Sequence, residues 1–258
     1  MDAAVAPIRF NRLLPYWAVL QTDLRQTLRS WVYRLWVLMM LFAAGGYVLY
    51  KFGAAKAGDF QPANIQTDDL LRALAVGSLS LISLIAVSSI SSERGTVADS
   101  ILSRGISRYQ YFLAKWHARL AVVLATFMIT SGISLIAYAV LFNETVTGGG
   151  SNLTFAGGFV GIVLLAAALA VVVSWGVTIG SLSSGTVLGI TVFWIVIFGA
   201  MLVLTQLPAG YPNPKRTFDG LRHVLRGEYT SSGVSEFLIG AGVLSIAGAA
   251  VGLIGFAK

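Results

Sequence analysis

Cysteine is absent from the 258 residues, which excludes disulfides and thiolate metal sites. Charge is scarce as well. Charged residues make up 11% of the chain against 56% hydrophobic, with a mean hydropathy of +0.78, whereas a soluble domain is charged at about a quarter of its positions. The composition is that of an integral membrane protein. The scarcity is sharpest from Leu120 to Leu207, where Glu144 is the only acidic or basic residue and falls in a polar turn, Asn143 to Asn152. Carriers driven by protons or ions hold the coupling ion on intramembrane carboxylates, His or Lys, so secondary transport is disfavoured. His117 and His223 are singletons near the ends of apolar runs, and there is no H-E-x-x-H, no G-x-S-x-G and no carboxylate cluster. An intramembrane enzyme is therefore not expected, and no catalytic, cofactor-binding or metal-ligating residue is assigned.

What the chain does have is apolar runs. Six lie close to the ~20 residues that a ~30 Å hydrocarbon layer requires, at about Trp31 to Tyr50, Leu71 to Ile90, Trp116 to Phe142, Leu153 to Gly180, Thr186 to Leu207 and Ser235 to Phe256. The first begins too late, with the wrong flanks, for a cleavable signal peptide. The expected fold is all-α, with six transmembrane helices in a single domain over residues 1–258. The net charge of +7 lies beside these runs, so anionic membrane lipids rather than nucleic acid are the expected counter-charge. Arg9, Arg12, Arg25, Arg29 and Arg34 precede or enter the first run, and Arg94, Arg104, Arg108, Lys115 and Arg119 follow the second. By the positive-inside rule both termini are cytoplasmic and the protein is multi-pass, with Asp68 and Glu144 outside. One region disagrees: Lys215, Arg216, Arg222 and Arg226 fall in a loop that six spans place outside.

Three polar stretches interrupt the runs. Residues 1–30 comprise a tail and a helix from Pro15 to Ser30, with Trp17, Leu20, Leu24 and Leu28 on one face and Thr22, Arg25, Gln26 and Arg29 on the other. That is an interfacial helix or, alternatively, a cytosolic extension of the first span. Residues 208–234 contain Pro208, Pro212 and Pro214, which stop the fifth span. Phe218, Leu221, Val224 and Leu225 then recur at helical spacing, an outer amphipathic helix that lines an exit path or serves as an anchor.

The longest polar interval, residues 91–115, is patterned as a rigid hairpin. Gly95 can close the preceding helix, and Thr96 with Asp99 has the form of a capping box for a short helix ending at Ser103-Arg104-Gly105. Ser107 with Gln110 opens a second helix. Tyr109, Phe112, Leu113, Trp116 and Leu120 take its apolar side, with Arg108, Lys115 and Arg119 opposite.

A membrane helix running into Glu93-x-Gly95-Thr96, then Leu102-Ser103-Arg104-x-Ile106-Ser107-Arg108-Tyr109 and Lys115, resembles the membrane permease subunits of ABC transporters of the second exporter type. Gly105 departs from that pattern, where a Pro is common. The resemblance implies a coupling helix, Thr96 to Arg104, that docks on a separate ATPase, with Glu93, Thr96, Asp99, Leu102, Arg104, Ile106 and Arg108 as the coupling residues. Ile106 would anchor it, Arg104 and Arg108 would make charged contacts, and Glu93 would cap or pair with Arg94 or Arg108. It also implies export across a bacterial cytoplasmic membrane, a second permease copy as homodimer or heterodimer, and ATP and Mg on the partner ATPase. Leu182-Ser183-Ser184-Gly185-Thr186 has the outline of an ABC ATPase signature. With no Gly-x-x-x-x-Gly-Lys loop in the chain it cannot serve as one, and it reads as a turn between spans four and five. The rival class is a non-transporting scaffold or assembly subunit.

Overall fold

The computed structural model describes residues 13–59, 61–93, 106–142, 153–206 and 214–257. The regular elements among them are all helices: α1 (Leu14–Arg29), α2 (Trp31–Lys56), α3 (Ala63–Ser91), α4 (Arg108–Phe142), α5 (Phe155–Leu182), α6 (Thr186–Gln206), α7 (Pro214–Leu225) and α8 (Ser231–Ala257). Six of them, all but α1 and α7, are long and apolar enough to cross a membrane. The expected coupling helix from Thr96 to Arg104, the turn holding Glu144, and Pro208 and Pro212 lie outside the described residues.

Several spans are longer than their apolar runs. α3 starts at Ala63 rather than near Leu71, and α4 at Arg108 rather than Trp116. Hydropathy marks where lipid tails would lie, whereas a helix continues until its end carbonyls and amides find other partners. At α4 the predicted capping box supplies them: Gln110 N–H donates to Ser107 Oγ at 3.2 Å, and Ser107 N–H donates to Gln110 Oε1 at 3.4 Å. α2 and α7 end on glycines at positive φ, Gly58 (+93°) and Gly227 (+83°). The following amides, Asp59 and Glu228, donate back to Ala54 and His223 carbonyls at 3.0 and 2.9 Å, which is the Schellman arrangement.

α3 and α5 form the centre, with α4 beside them and α2, α6 and α8 outside. α1 lies along α4 at one end of the bundle, the end where α3 finishes and α4 begins; α7 lies on α3 and α5 at the far end. Lipid tails are as apolar as leucine, so burial alone does not hold such helices together and close approach at small residues matters more. A Cβ on Gly176 would come within 2.7 Å of Ala86 Cβ, one on Gly189 within 2.7 Å of a Val87 methyl, and one on Gly180 would strike the Val87 backbone. Gly248 and Gly252 of α8 are used in the same way inside the chain, against Trp175 and Phe112. Hydrogen bonds also cross between helices: Trp36 Nε1 to Ser78 Oγ (2.9 Å), Trp116 Nε1 to Ser174 Oγ (3.0 Å) and Thr178 Oγ1 to the Gly248 carbonyl (2.6 Å).

If this crossing holds the centre, Gly180→Val will lower stability by about 1 to 3 kcal/mol or more through overpacking. Gly199→Ala, at a position with open space around it, will leave stability unchanged. Thermal unfolding in detergent, followed by intrinsic fluorescence, distinguishes the two.

Candidate functional site

α1 and α2 are separate helices, broken at Ser30, whose ψ of 144° is extended and whose hydroxyl caps α2 by accepting from Tyr33 N–H. On α1 the residues Tyr16, Leu20, Asp23 and Thr27 share one face by their i, i+4, i+7, i+11 spacing. Asp23 and Thr27 are buried, whereas Trp17 and Leu28 are exposed. The fully buried residues of α1 are thus polar, while of its expected apolar face Leu20 and Leu24 are half-buried and Trp17 and Leu28 exposed.

The reason lies on α4. Lys115 and Arg119, expected opposite the apolar side of the helix, are 2% and 8% exposed. They are covered by α1, while Tyr109 of the expected apolar side is out in the open. Lys115 Nζ lies 3.0 Å from Asp23 Oδ1 and 2.7 Å from Glu93 Oε1. Arg119 donates to Asp23 Oδ1 at 3.1 Å and also to the Thr27 hydroxyl. The Tyr111 hydroxyl donates to Glu93 Oε2 at 2.5 Å, and its ring stacks on Phe256 at the end of α8. Two cations and two carboxylates therefore form one electroneutral quartet that joins α1, the end of α3, the start of α4 and, through Tyr111, α8. Asp23 Oδ2 and Arg119 Nε take no partner among the described residues, so the quartet has little redundancy. At its edge the Tyr16 hydroxyl lies 3.1 Å from His117 Nδ1, and burial lifts the Tyr16 phenol above its ordinary pKa.

The sequence-predicted coupling residues divide accordingly. Glu93 is drawn into the quartet, with Lys115 and Tyr111 as partners. Ile106 is half-buried and Arg108 exposed at the root of α4. Thr96, Asp99, Leu102 and Arg104 lie outside the described residues. Asp23 was not singled out from sequence, although a signal existed: it is the only acidic residue between Asp2 and Asp59, in a stretch rich in arginine.

A second charged cluster sits at the far end. Asp68, expected in an open loop, is fully buried within the first turns of α3. It is gripped by Arg72 Nε at 2.6 Å and by Arg222 Nε of α7 at 2.7 Å. Arg72 also donates to the Phe218 carbonyl. The Asp68 hydrogen bond and charge hold the Arg222 guanidinium above its ordinary pKa. Leu221 and Leu225 are buried beneath α7 against Gly161. Among the described residues no three His, Asp or Glu side chains converge as metal ligands.

A family model described as ABC-2 family transporter protein matches residues 35–226. That span takes in Glu93, Lys115, Arg119 and the far-end cluster, and leaves Asp23 N-terminal to it. No curated protein matches the chain.

Breaking a buried ion pair from one side leaves a charge uncompensated, at about 3 to 5 kcal/mol. Asp23→Asn and Lys115→Met will each destabilise the protein on that scale. The double variant will lose less than the sum of the two, because each single change strands the other's partner. A double-mutant cycle on unfolding temperature reads the coupling, and strict additivity would mean that the quartet does not act as one unit.

Proposed function

The chain belongs to the ABC-2 transporter family and is a membrane permease, and from that premise we propose that it is the transmembrane half of an ATP-driven exporter. The ATPase, with its ATP and Mg, is on a separate polypeptide that docks on the coupling helix, Thr96 to Arg104, with Glu93, Ile106 and Arg108 flanking it, and two permease copies work together because ATPases of this superfamily act in pairs. The hairpin end faces the cytoplasm, with both termini. The observation that best supports coupling is the quartet at the root of the hairpin. A push on residues 94–105 enters the bundle at Glu93 and at Ile106 to Lys115. Those two roots are tied by the 2.7 Å pair between Glu93 and Lys115, so the hairpin cannot simply splay. α3 then carries the displacement toward Asp68, roughly 37 Å further along the helix at 1.5 Å per residue, where Arg222 fastens α7. We assign α7 to the exit of the path.

Replacing Arg104 and Arg108 together by Glu will weaken ATPase docking by about tenfold or more, since each reversal exchanges an attractive charged contact for a repulsive one. The bundle will still insert. Co-purification of the ATPase at matched membrane expression, with transport-linked ATP hydrolysis, measures it. Unchanged docking and hydrolysis would remove the coupling role.

Orientation is tested by single cysteines in this cysteine-free chain. Asp68 is unsuitable because it is buried. Asp59, exposed in the turn between α2 and α3, will label from outside in intact cells, and Arg108→Cys only after permeabilisation.

A further inference from the structure

A cleft of about 200 Å³ opens where α1 bends into α2, beside the quartet. Its lining is mixed: Val32 and Ile85 are apolar, and the polar part comes from Gln26 and Ser30 at the bend, Ser88 and Ser92 at the end of α3, and Glu93 and Arg119. Much of this hydrogen-bonding capacity is unspent. Among the described residues the Gln26 amide and the Ser88 hydroxyl bond to nothing, and Ser30 Oγ accepts from Tyr33 N–H while keeping its own proton to donate. Arg119 is committed to Asp23 and Thr27, so it contributes no spare charge. Spare charge lies on the adjoining surface of α1 instead. Arg25 and Arg29 are exposed on α1, next to Gln26 and Ser30 in sequence, with no acidic partner among the described residues. Alongside them Leu28 and Trp31 expose apolar surface, 47% and 71%.

Unpaired arginines, unused hydroxyl and amide donors in a recess, and an adjoining apolar surface are the three elements that an amphiphilic anion needs. We propose that this cleft binds the headgroup of an anionic, hydroxyl-bearing phospholipid. The phosphate meets Arg25 and Arg29, the headgroup hydroxyls enter among Gln26, Ser30 and Ser88, and the acyl chains lie along Leu28 and Trp31. Glu93 on the wall accepts from a glycerol hydroxyl, which a choline group cannot offer because it has no donor. The inference requires a bilayer around the chain and does not depend on the direction of transport.

The test uses the full chain in nanodiscs holding phosphatidylcholine and phosphatidylglycerol in equal amounts, with retained lipid counted by native mass spectrometry. The wild type retains phosphatidylglycerol in preference. Arg25→Gln with Arg29→Gln lowers that preference about fivefold per arginine. Gln26→Leu with Ser88→Ala lowers it too, although the surface charge is unchanged. Equal retention of the two lipids in the wild type would overturn the proposal. So would a loss confined to the arginine variants, which would mean diffuse surface attraction and no site. In a third arm, sn-glycerol 3-phosphate alone is offered to the chain in phosphatidylcholine nanodiscs. Weak or absent binding supports a lipid occupant, and binding as tight as that of phosphatidylglycerol would overturn it.

Discussion

A lysine ammonium enclosed among helices, away from water, must have its charge answered on the spot, and Lys115 is answered from two directions by Asp23 and Glu93. In a low-dielectric interior such a group is costly unless paired and hydrogen-bonded, so the position of every element that brings a partner follows from it. α1 has to lie along α4 with Asp23 turned inward. α3 has to end close to Ser91 so that Glu93 can reach back. Arg119, one helical turn beyond Lys115, balances the second carboxylate. The geometry of the hairpin roots is thus set by charge neutrality, while the middle of the bundle is set by how closely Gly176, Gly180 and Gly189 let backbones approach.

The spans were legible in the sequence because hydrocarbon thickness writes a length rule directly into composition. The capping box at Ser107 and Gln110 and the turn from Leu182 to Thr186 were legible because they are local. The inward face of α1 was not. Amphipathic patterning assigns apolar residues to the interior, and here Trp17 and Leu28 are left exposed while the bundle takes Asp23 and Thr27. Lys115 and Arg119 were misplaced for the matching reason: their partner is about a hundred residues away in the chain, and periodicity within one helix cannot see it. Asp68 was misread as a loop residue because Asp68, Asp69 and Arg72 look like a polar linker, whereas the helix begins before them and buries the first.

Part of the charge in the basic loop that strained the charge rule is answered inside the structure. Arg222 does not act as a free charge: Asp68 bonds it at 2.7 Å, and Asp69 lies 3.7 Å away. Counting residues treats Arg222 as an orienting positive charge, but a guanidinium paired across 154 residues contributes little net field at the surface. Of the far-end arginines, Arg72 is likewise tied to the same carboxylate and to the Phe218 carbonyl.

α3 carries a carboxylate near each of its ends, and the two sit in different surroundings. At one end the Lys115 side chain is 3% exposed and its partners Asp23 and Glu93 are 3% and 27%; at the other Asp68 is fully buried, while Arg222, which holds it, is 47% exposed. Dissolved salt screens charges that face water, over a Debye length of about 8 Å at physiological ionic strength, and reaches enclosed pairs far less. One helix therefore has an end whose fastening dissolved salt reaches more readily, through the exposed Arg222 guanidinium, than it reaches the enclosed Lys115 at the other. A rise in salt would slacken the tie on α7 before the ties that join α3, α4 and α1.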